Sequence, residues 1–373
     1  MSFFHIALKN ILRRRLRTVL TLCGVAVGIA AFTALVGFSR SFEQAWLTLY
    51  ESSGTDLVVV QKMFLNTSVD ETVGPKLRAI PDVADAEPFL ANLVDLTPEV
   101  NALVYGWPAG SFEFAPLTIL QGRRFQDGSL EVMLGEVLAD NLGKKAGNFL
   151  DIQGATFQVV GVFRGGSALE IGAAIMPIDQ LQKLTDLTGK VTAFHVRLRK
   201  PANGESGEAL IRHARSAIEA VVPGLKAVPA GDRARNNQLV VLARSMAWGT
   251  SLIALFIGAL GIANTMAMSV FERTREIGIL RALGWKRLRV MKLILIEAAA
   301  LGLAGGCLGI VGGWLALRAL AALPATASFV TAAVPLWQGV QSLCIAVLIG
   351  LFAGMAPAWR GSRLSPVEAL RYE

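Results

Sequence analysis

The residue types that most often do chemistry are sparse in this chain of 373 residues. It holds three histidines, His5, His195 and His213, and three cysteines, Cys23, Cys307 and Cys344. A zinc hydrolase needs two histidines one helical turn apart with a glutamate, H-E-x-x-H, and a serine hydrolase needs its nucleophile on a G-x-S-x-G turn; neither pattern occurs. Gly143-Lys144-Lys145 lacks both the upstream glycine and the hydroxyl of a phosphate-binding loop. His195 falls on a predicted strand and His213 on a predicted helix among charged neighbours, so both read as structural or solvated. The cysteines show no zinc, haem or iron–sulfur spacing and lie in apolar runs, where they read as small packing residues. No catalytic residue, metal ligand or cofactor-binding residue is predicted, and the chain is expected to be non-catalytic. One acid, Glu297, interrupts an apolar run. Such an acid is either a proton or substrate site, or a side chain that reaches the interface or pairs with Arg or Lys. At about one turn inside the boundary the second reading is favoured.

The remaining stretch with chemical character is 271–285, FERTREIGILRALGW, in which three arginines and two glutamates are threaded with apolar residues. On a helix Ile279 and Leu283 align with Leu280 beside them, while Glu272, Arg275 and Glu276 supply a charged face. An orientation signal needs only positive charge. An added apolar face must pack on something, which makes this a docking element for a protein partner.

The elements that would hold it are membrane spans. The chain is 53% hydrophobic and 17% charged, with a mean hydropathy of +0.51. Uncharged windows run from Thr18 to Ser39, Ser245 to Phe271, Leu293 to Leu317 (broken only by Glu297) and within Ala319–Trp359, where Leu336–Pro357 is the part apt to span. Each approaches or exceeds the roughly 20 residues that cross a bilayer's hydrocarbon. The first window is too long for a signal-peptide core and lacks a clear cleavage site, so it is expected to stay as an anchor.

Charge then sets orientation. Residues 1–17 carry five Lys/Arg and no acid, 272–292 carry seven against two, and 360–373 three against two, whereas 40–244 carry 20 basic and 23 acidic residues. Basic short loops stay in the cytoplasm. The expected fold class is therefore an α-helical membrane protein with four transmembrane helices and a mixed α/β extracytoplasmic domain between helices 1 and 2. Its predicted parts are a cytoplasmic amphipathic segment 1–17, spans 18–39, 245–271, 293–317 and 336–358, an extracytoplasmic domain 40–244, a cytoplasmic loop 272–292 and a cytoplasmic tail 359–373. A pI near 9.7 does not signal nucleic-acid binding here, because the cations hug the membrane edges.

Within 40–244 the patterns predict strands at Asp56–Gln61, Ala102–Tyr105 and Thr192–Arg199, and a strand pair around a Gly-Ala turn in Asp151–Phe163. A strand-to-helix unit over Glu131–Gly143 and a helix over Glu205–Val221 complete the pattern. From about Asp232 the helical pattern runs into the second span without Pro, which predicts a stalk. In the spans, glycines recur at four-residue spacing, including Gly305, Gly309 and Gly313. Small residues at this spacing let helices approach closely in lipid, within the chain or across a dimer.

Glu272–Gly284, ERTREIGILRALG, resembles the signature of the FtsX/MacB-type permeases of ABC transporters, of type VII architecture. Arg15–Gly28 is similar to their first span, Ile296–Gly313 to their third, and Leu364–Arg371, LSPVEALR, to their C-terminal box, where Ser365, Pro366 and Glu368 also read as a capping box. Leu120–Gly128 and Val132–Phe163 resemble their extracytoplasmic core. The resemblance implies a stand-alone, LolC/LolE-like permease of the bacterial inner membrane that pairs with a second copy or a paralogue. It also implies a separate ABC ATPase bound through a coupling helix at Glu272, Arg275, Glu276, Ile279, Leu280 and Leu283. Movement of the outer domain (mechanotransmission) would then export or extract a lipoprotein, lipid, peptide or drug, with a periplasmic adaptor as a further partner. An FtsX-like transmitter that activates a cell-wall hydrolase stays open as the alternative.

Overall fold

The computed structural model describes residues 15–62, 68–97, 100–200, 207–322 and 334–365. In chain order its helices are α1 (Arg15–Ser53), α2 (Gly74–Arg78), α3 (Glu136–Leu142), α4 (Ala168–Ile171), α5 (Ile178–Leu184), α6 (Gly207–Val221), α7 (Ala230–Arg235), α8 (Gln238–Glu272), α9 (Thr274–Ala282), α10 (Arg287–Ala321) and α11 (Leu336–Ser362). The strands are β1 (Leu57–Gln61), β2 (Val69–Asp70), β3 (Val83–Thr97), β4 (Val100–Trp107), β5 (Thr118–Gly122), β6 (Glu131–Gly135), β7 (Phe149–Ile152), β8 (Ala155–Arg164), β9 (Ala174–Pro177), β10 (Lys190–Val191), β11 (Ala193–Leu198) and β12 (Leu225–Pro229). The chain divides into two compact units, one of Met1–Arg40, Leu242–Leu320 and Thr331–Glu373, the other of Ser41–Val241 and Ala321–Val330. The predicted amphipathic segment near His5 and the C-terminal box beyond Ser365 lie outside the described residues.

The first unit is helical. Among the described residues four helices are long and apolar enough to cross a membrane, Thr18–Ser53, Gln238–Glu272, Arg287–Ala321 and Leu336–Ser362. They outrun the uncharged windows because a helix ends where its caps are, not where the hydrocarbon does. The predicted stalk start near Asp232 is corrected: α7 stops at Arg235, and α8 begins only at Gln238. No Pro is needed for this break. The Asn237 side chain accepts a hydrogen bond from Leu239 N at 3.0 Å, satisfying one of the orphan N–H groups of a new helix start.

The second unit is a mixed α/β domain inserted between the first and second long apolar helices. Its main sheet runs β12-β1-β11-β3-β4-β9-β6-β8-β5, with β7 also paired to β8. β3, absent from the sequence expectations, is the hinge of this order. Its first half pairs with β11 up to Phe89, and its second half pairs with β4 from Leu90 onward. Pro88 therefore sits where β3 has a partner on one side only, the position in which a missing N–H is tolerated. The predicted strand pair near Gly154 is β7–β8, but the turn is Gln153-Gly154, with φ of 52° and 85°. Two positive φ values make it a type I′ turn, whose twist suits a hairpin. The core is a continuous apolar cluster through Leu57, Leu90, Val104, Leu134, Val159 and Val196, beside an aromatic cluster of Phe89, Tyr105, Trp107, Phe114 and Phe163.

Candidate functional site

The segment singled out by sequence forms α9, and its conformation is set at both ends. At the start, Arg273 leaves helical geometry with φ −106° and ψ 17°, while the Thr274 hydroxyl donates to Phe271 O at 2.7 Å, closing off α8. At the end, Gly284 N donates to Arg281 O and Trp285 N to Leu280 O, each at 3.1 Å. These two bonds are a Schellman cap. It requires a left-handed residue, and Gly284 supplies it with φ +90°.

α9 has one buried face and one open face. Ile277 and Gly278 are buried, Ile277 within the bundle core formed with Val290, Ile294 and Ala358. On the other side Ile279 is 45% and Leu283 74% exposed, with Arg275 and Glu276 exposed beside them and Leu280 and Glu272 intermediate. The apolar and charged residues thus share one open face instead of lying on opposite faces. The short helix starts afresh at Thr274, and its inward side is taken by Ile277, the anchor that sequence reasoning missed. Leu280 lies at the edge of the open face and is not its centre.

The junction is held by an ion pair. Arg273 Nη1 lies 3.1 Å from Glu297 Oε2 and Nη2 3.1 Å from Oε1. Glu297 is 5% exposed and sits on α10, so the intramembrane acid is engaged with arginine, as the favoured reading of it expected. Two parallel N–H···O bonds fix the guanidinium plane as well as its distance.

Glycines hold the helices of this unit at short range. A methyl added at Gly305 would fall 2.7 Å from Val25 Cβ, at Gly309 2.6 Å from Ile29 Cβ, and at Gly313 2.7 Å from Thr33 Cβ. These three therefore face α1. Gly302 lies against Ala346 O, and a methyl at Gly350 would meet Ala298 O at 2.5 Å, so a second glycine row joins α10 to α11. Gly24 has nothing within 4 Å of an added methyl, whereas a methyl at Gly28 would stand 2.9 Å from Ala254 O. Close backbone approach of this kind is the packing that operates in lipid. Towards the other end of the bundle Gln338 Nε2 donates to Thr33 O at 2.9 Å, and Arg40 stacks 3.9 Å from the Trp337 ring centroid.

In the inserted domain the two described histidines part ways. His213 Nδ1 meets Asp82 at 2.6 Å with its side chain 73% exposed. His195 is buried on β11, and its Nδ1 lies 2.6 Å from Glu113 Oε1. The histidine type alone could not separate these environments, because the partner lies 82 residues away.

A family model described as MacB-like periplasmic core domain matches residues 18–214, more than half of the chain, and one described as FtsX-like permease C-terminal matches residues 248–366. The chain is 26% identical to YvrN of Bacillus subtilis, an uncharacterized ABC transporter permease, with 100% of each covered. It is 28% identical to the macrolide export ATP-binding/permease protein MacB of Escherichia coli, covering 99% of this chain and 60% of that protein. The crystal structure of the periplasmic region of MacB from Actinobacillus actinomycetemcomitans matches at a TM-score of 0.39 and 12% identity, over 49% of this chain and 92% of that one.

Proposed function

This chain belongs to the MacB/FtsX-type family of ABC transporter permeases, and from that premise we propose that it couples ATP hydrolysis on a separate ATPase subunit to movement of its inserted α/β domain. It is a multi-pass membrane protein. In the proposed arrangement it lies in the bacterial inner membrane with its termini and α9 in the cytoplasm. It pairs with a second copy or a paralogue, and an adaptor meets it on the far side.

One observation carries the docking part of this reading. α9 is a short, doubly capped helix whose inner face is bundle core and whose outer face presents Ile279 and Leu283 to solvent beside Arg275 and Glu276. Exposed apolar anchors ringed by charge are the usual composition of a docking surface. Closure of the ATPases would push on this face. The Arg273–Glu297 fork ties the α8–α9 junction to α10, so the push would reach the long helices instead of bending a free loop. α1 and α8 are each unbroken over 39 and 35 residues, which supports their acting as levers. The cargo, in the classes lipoprotein, lipid, peptide or drug, would be moved on the outer side and not through a channel.

The test is co-purification with the partner ATPase, together with permease-stimulated ATP hydrolysis. Leu283→Asp should weaken both about tenfold or more while leaving the purified permease folded. Undiminished binding and stimulation would reduce α9 to a topology signal and remove the mechanical reading.

A further inference from the structure

Within residues 41–241 the last turns of α1 are fastened to the sheet through buried polar groups that the transport reading does not use. Ser167 Oγ donates to the Ala45 carbonyl at 2.7 Å. Ser167 also caps α4, and Glu170 completes the capping box by accepting from Ser167 N at 2.8 Å. Leu169 packs on Ala45 and Leu49. A methyl on Gly166 would stand 3.1 Å from Ser52 Cβ, so the loop lies flat against the helix. A second fastening runs from Ser53 Oγ to Thr55 Oγ1 at 2.9 Å and on to Glu113, which holds His195.

We propose that this joint is a proton-responsive latch, in which protonated Glu170 keeps the outer end of α1 locked to the sheet and ionisation of that carboxyl releases it.

Glu170 is fully buried, and its Oε1 has no hydrogen-bond partner among the described residues. The groups around it do not supply a counter-charge. From the turn at Phe112–Phe114 comes Glu113, itself with an unpartnered buried oxygen. His195 on β11 is bonded to Glu113. Tyr105 on β4 and Tyr50 on α1 are neutral phenols, Arg233 on α7 is hydrogen-bonded to Tyr50, and Arg164 on β8 is held by Glu136 on α3 at 2.7 Å. An ionised Glu170 would thus add an uncompensated negative charge to a dry site, and the least costly relief is to open the loop to water. Burial pushes the Glu170 carboxyl up to about 7; the Ser167 N–H opposes the rise, Glu113 adds to it, and the Gly166 N–H opposes it as well. The folded-state value lies above the ordinary carboxyl value of 4.5, so between those two values the folded state holds the extra proton. Stability of the joint is then greatest at the acid end, falls as pH rises through that window, and levels off above it. The latch stands whether or not α9 docks an ATPase.

The experiment is amide hydrogen exchange of residues 41–53 in the full chain in lipid nanodiscs, from about pH 5 to about pH 8.5 and corrected for intrinsic exchange chemistry. Protection in the wild type should fall about tenfold or more between about pH 5 and about pH 7 and stay level above that, and Glu170→Gln should make it pH-independent. Glu87, cross-strand from His195 and pushed up to about 6 by burial, is the control: Glu87→Gln should leave the midpoint in place. Glu113→Gln, by removing the neighbouring charge, should lower the midpoint. No fall in the wild type overturns the latch without recourse to any variant, and an undiminished fall in Glu170→Gln overturns it equally.

Discussion

Arg273 grips Glu297 at both carboxylate oxygens, 3.1 Å at each, across 24 residues of chain. The glutamate is 5% exposed, so each partner needs the other. Removing one member of a buried pair strands the remaining charge, at a cost of about 3–5 kcal/mol. Arg273→Ala should therefore lower the thermal unfolding temperature more than Glu297→Gln does. The double variant Arg273→Ala/Glu297→Ala should recover part of the loss. Thermal unfolding in detergent gives the cycle, and strict additivity would mean that the pair is not coupled.

The open face of α9 makes a graded prediction. Leu283→Asp and Ile279→Asp should each weaken ATPase binding at least tenfold, or about 1.4 kcal/mol and more. Leu280→Asp, at the edge of that face, should weaken it less, and Arg275→Ala only modestly because exposed charges contribute little. Ile277→Asp should behave differently, disrupting the bundle itself, since Ile277 is core. Affinity measured by titration of the ATPase onto nanodisc-embedded permease ranks the four variants at 275, 279, 280 and 283; a reversed order would relocate the docking surface.

The glycine rows predict which small residues matter. Gly309→Ala places a methyl 2.6 Å from Ile29 Cβ, an overlap that typically costs about 1–3 kcal/mol. Gly309→Leu should be worse. Gly261 has nothing within 4 Å of an added methyl, so Gly261→Ala should leave unfolding unchanged or raise it slightly, because glycine is a poor helix former. Equal effects at the two sites would show that close approach to α1 is not what Gly309 is for.

Orientation is tested by cysteine accessibility after Cys23, Cys307 and Cys344 are replaced. Asp127→Cys, exposed in the inserted domain, should react with a membrane-impermeant maleimide in spheroplasts. Arg363→Cys, exposed just past the end of α11, should react only after permeabilisation. Labelling of Arg363→Cys from outside would invert the topology inferred from the basic segments.

Much of the architecture was already present in the residue order. Long uncharged runs have no low-energy place except apolar surroundings, so four spans follow from composition, and their basic flanks follow from the cost of moving cations through a bilayer. The continuous apolar run of strand 57–61, the alternation of strand 193–198 and the helix stopped by Gly143 were legible for the same reason: each depends on neighbours in sequence. β3 was not legible, because Pro88 and the acids around it break the alternation. Only its position between β11 and β4 shows that each half satisfies a different neighbour. The break at Asn236–Asn237 went unread because a side-chain cap, not a proline, ends one helix and starts the next. Tertiary structure alone decided which face of α9 is open. Side chains at 275, 276, 279 and 283 share that face because Ile277 turns inward to meet α10 and α11, and that contact joins residues far apart in the chain. The same holds for Glu297 and Glu170. A sequence shows that an acid is surrounded by apolar residues, but only packing determines that one is paired with an arginine while the other, among the described residues, is not.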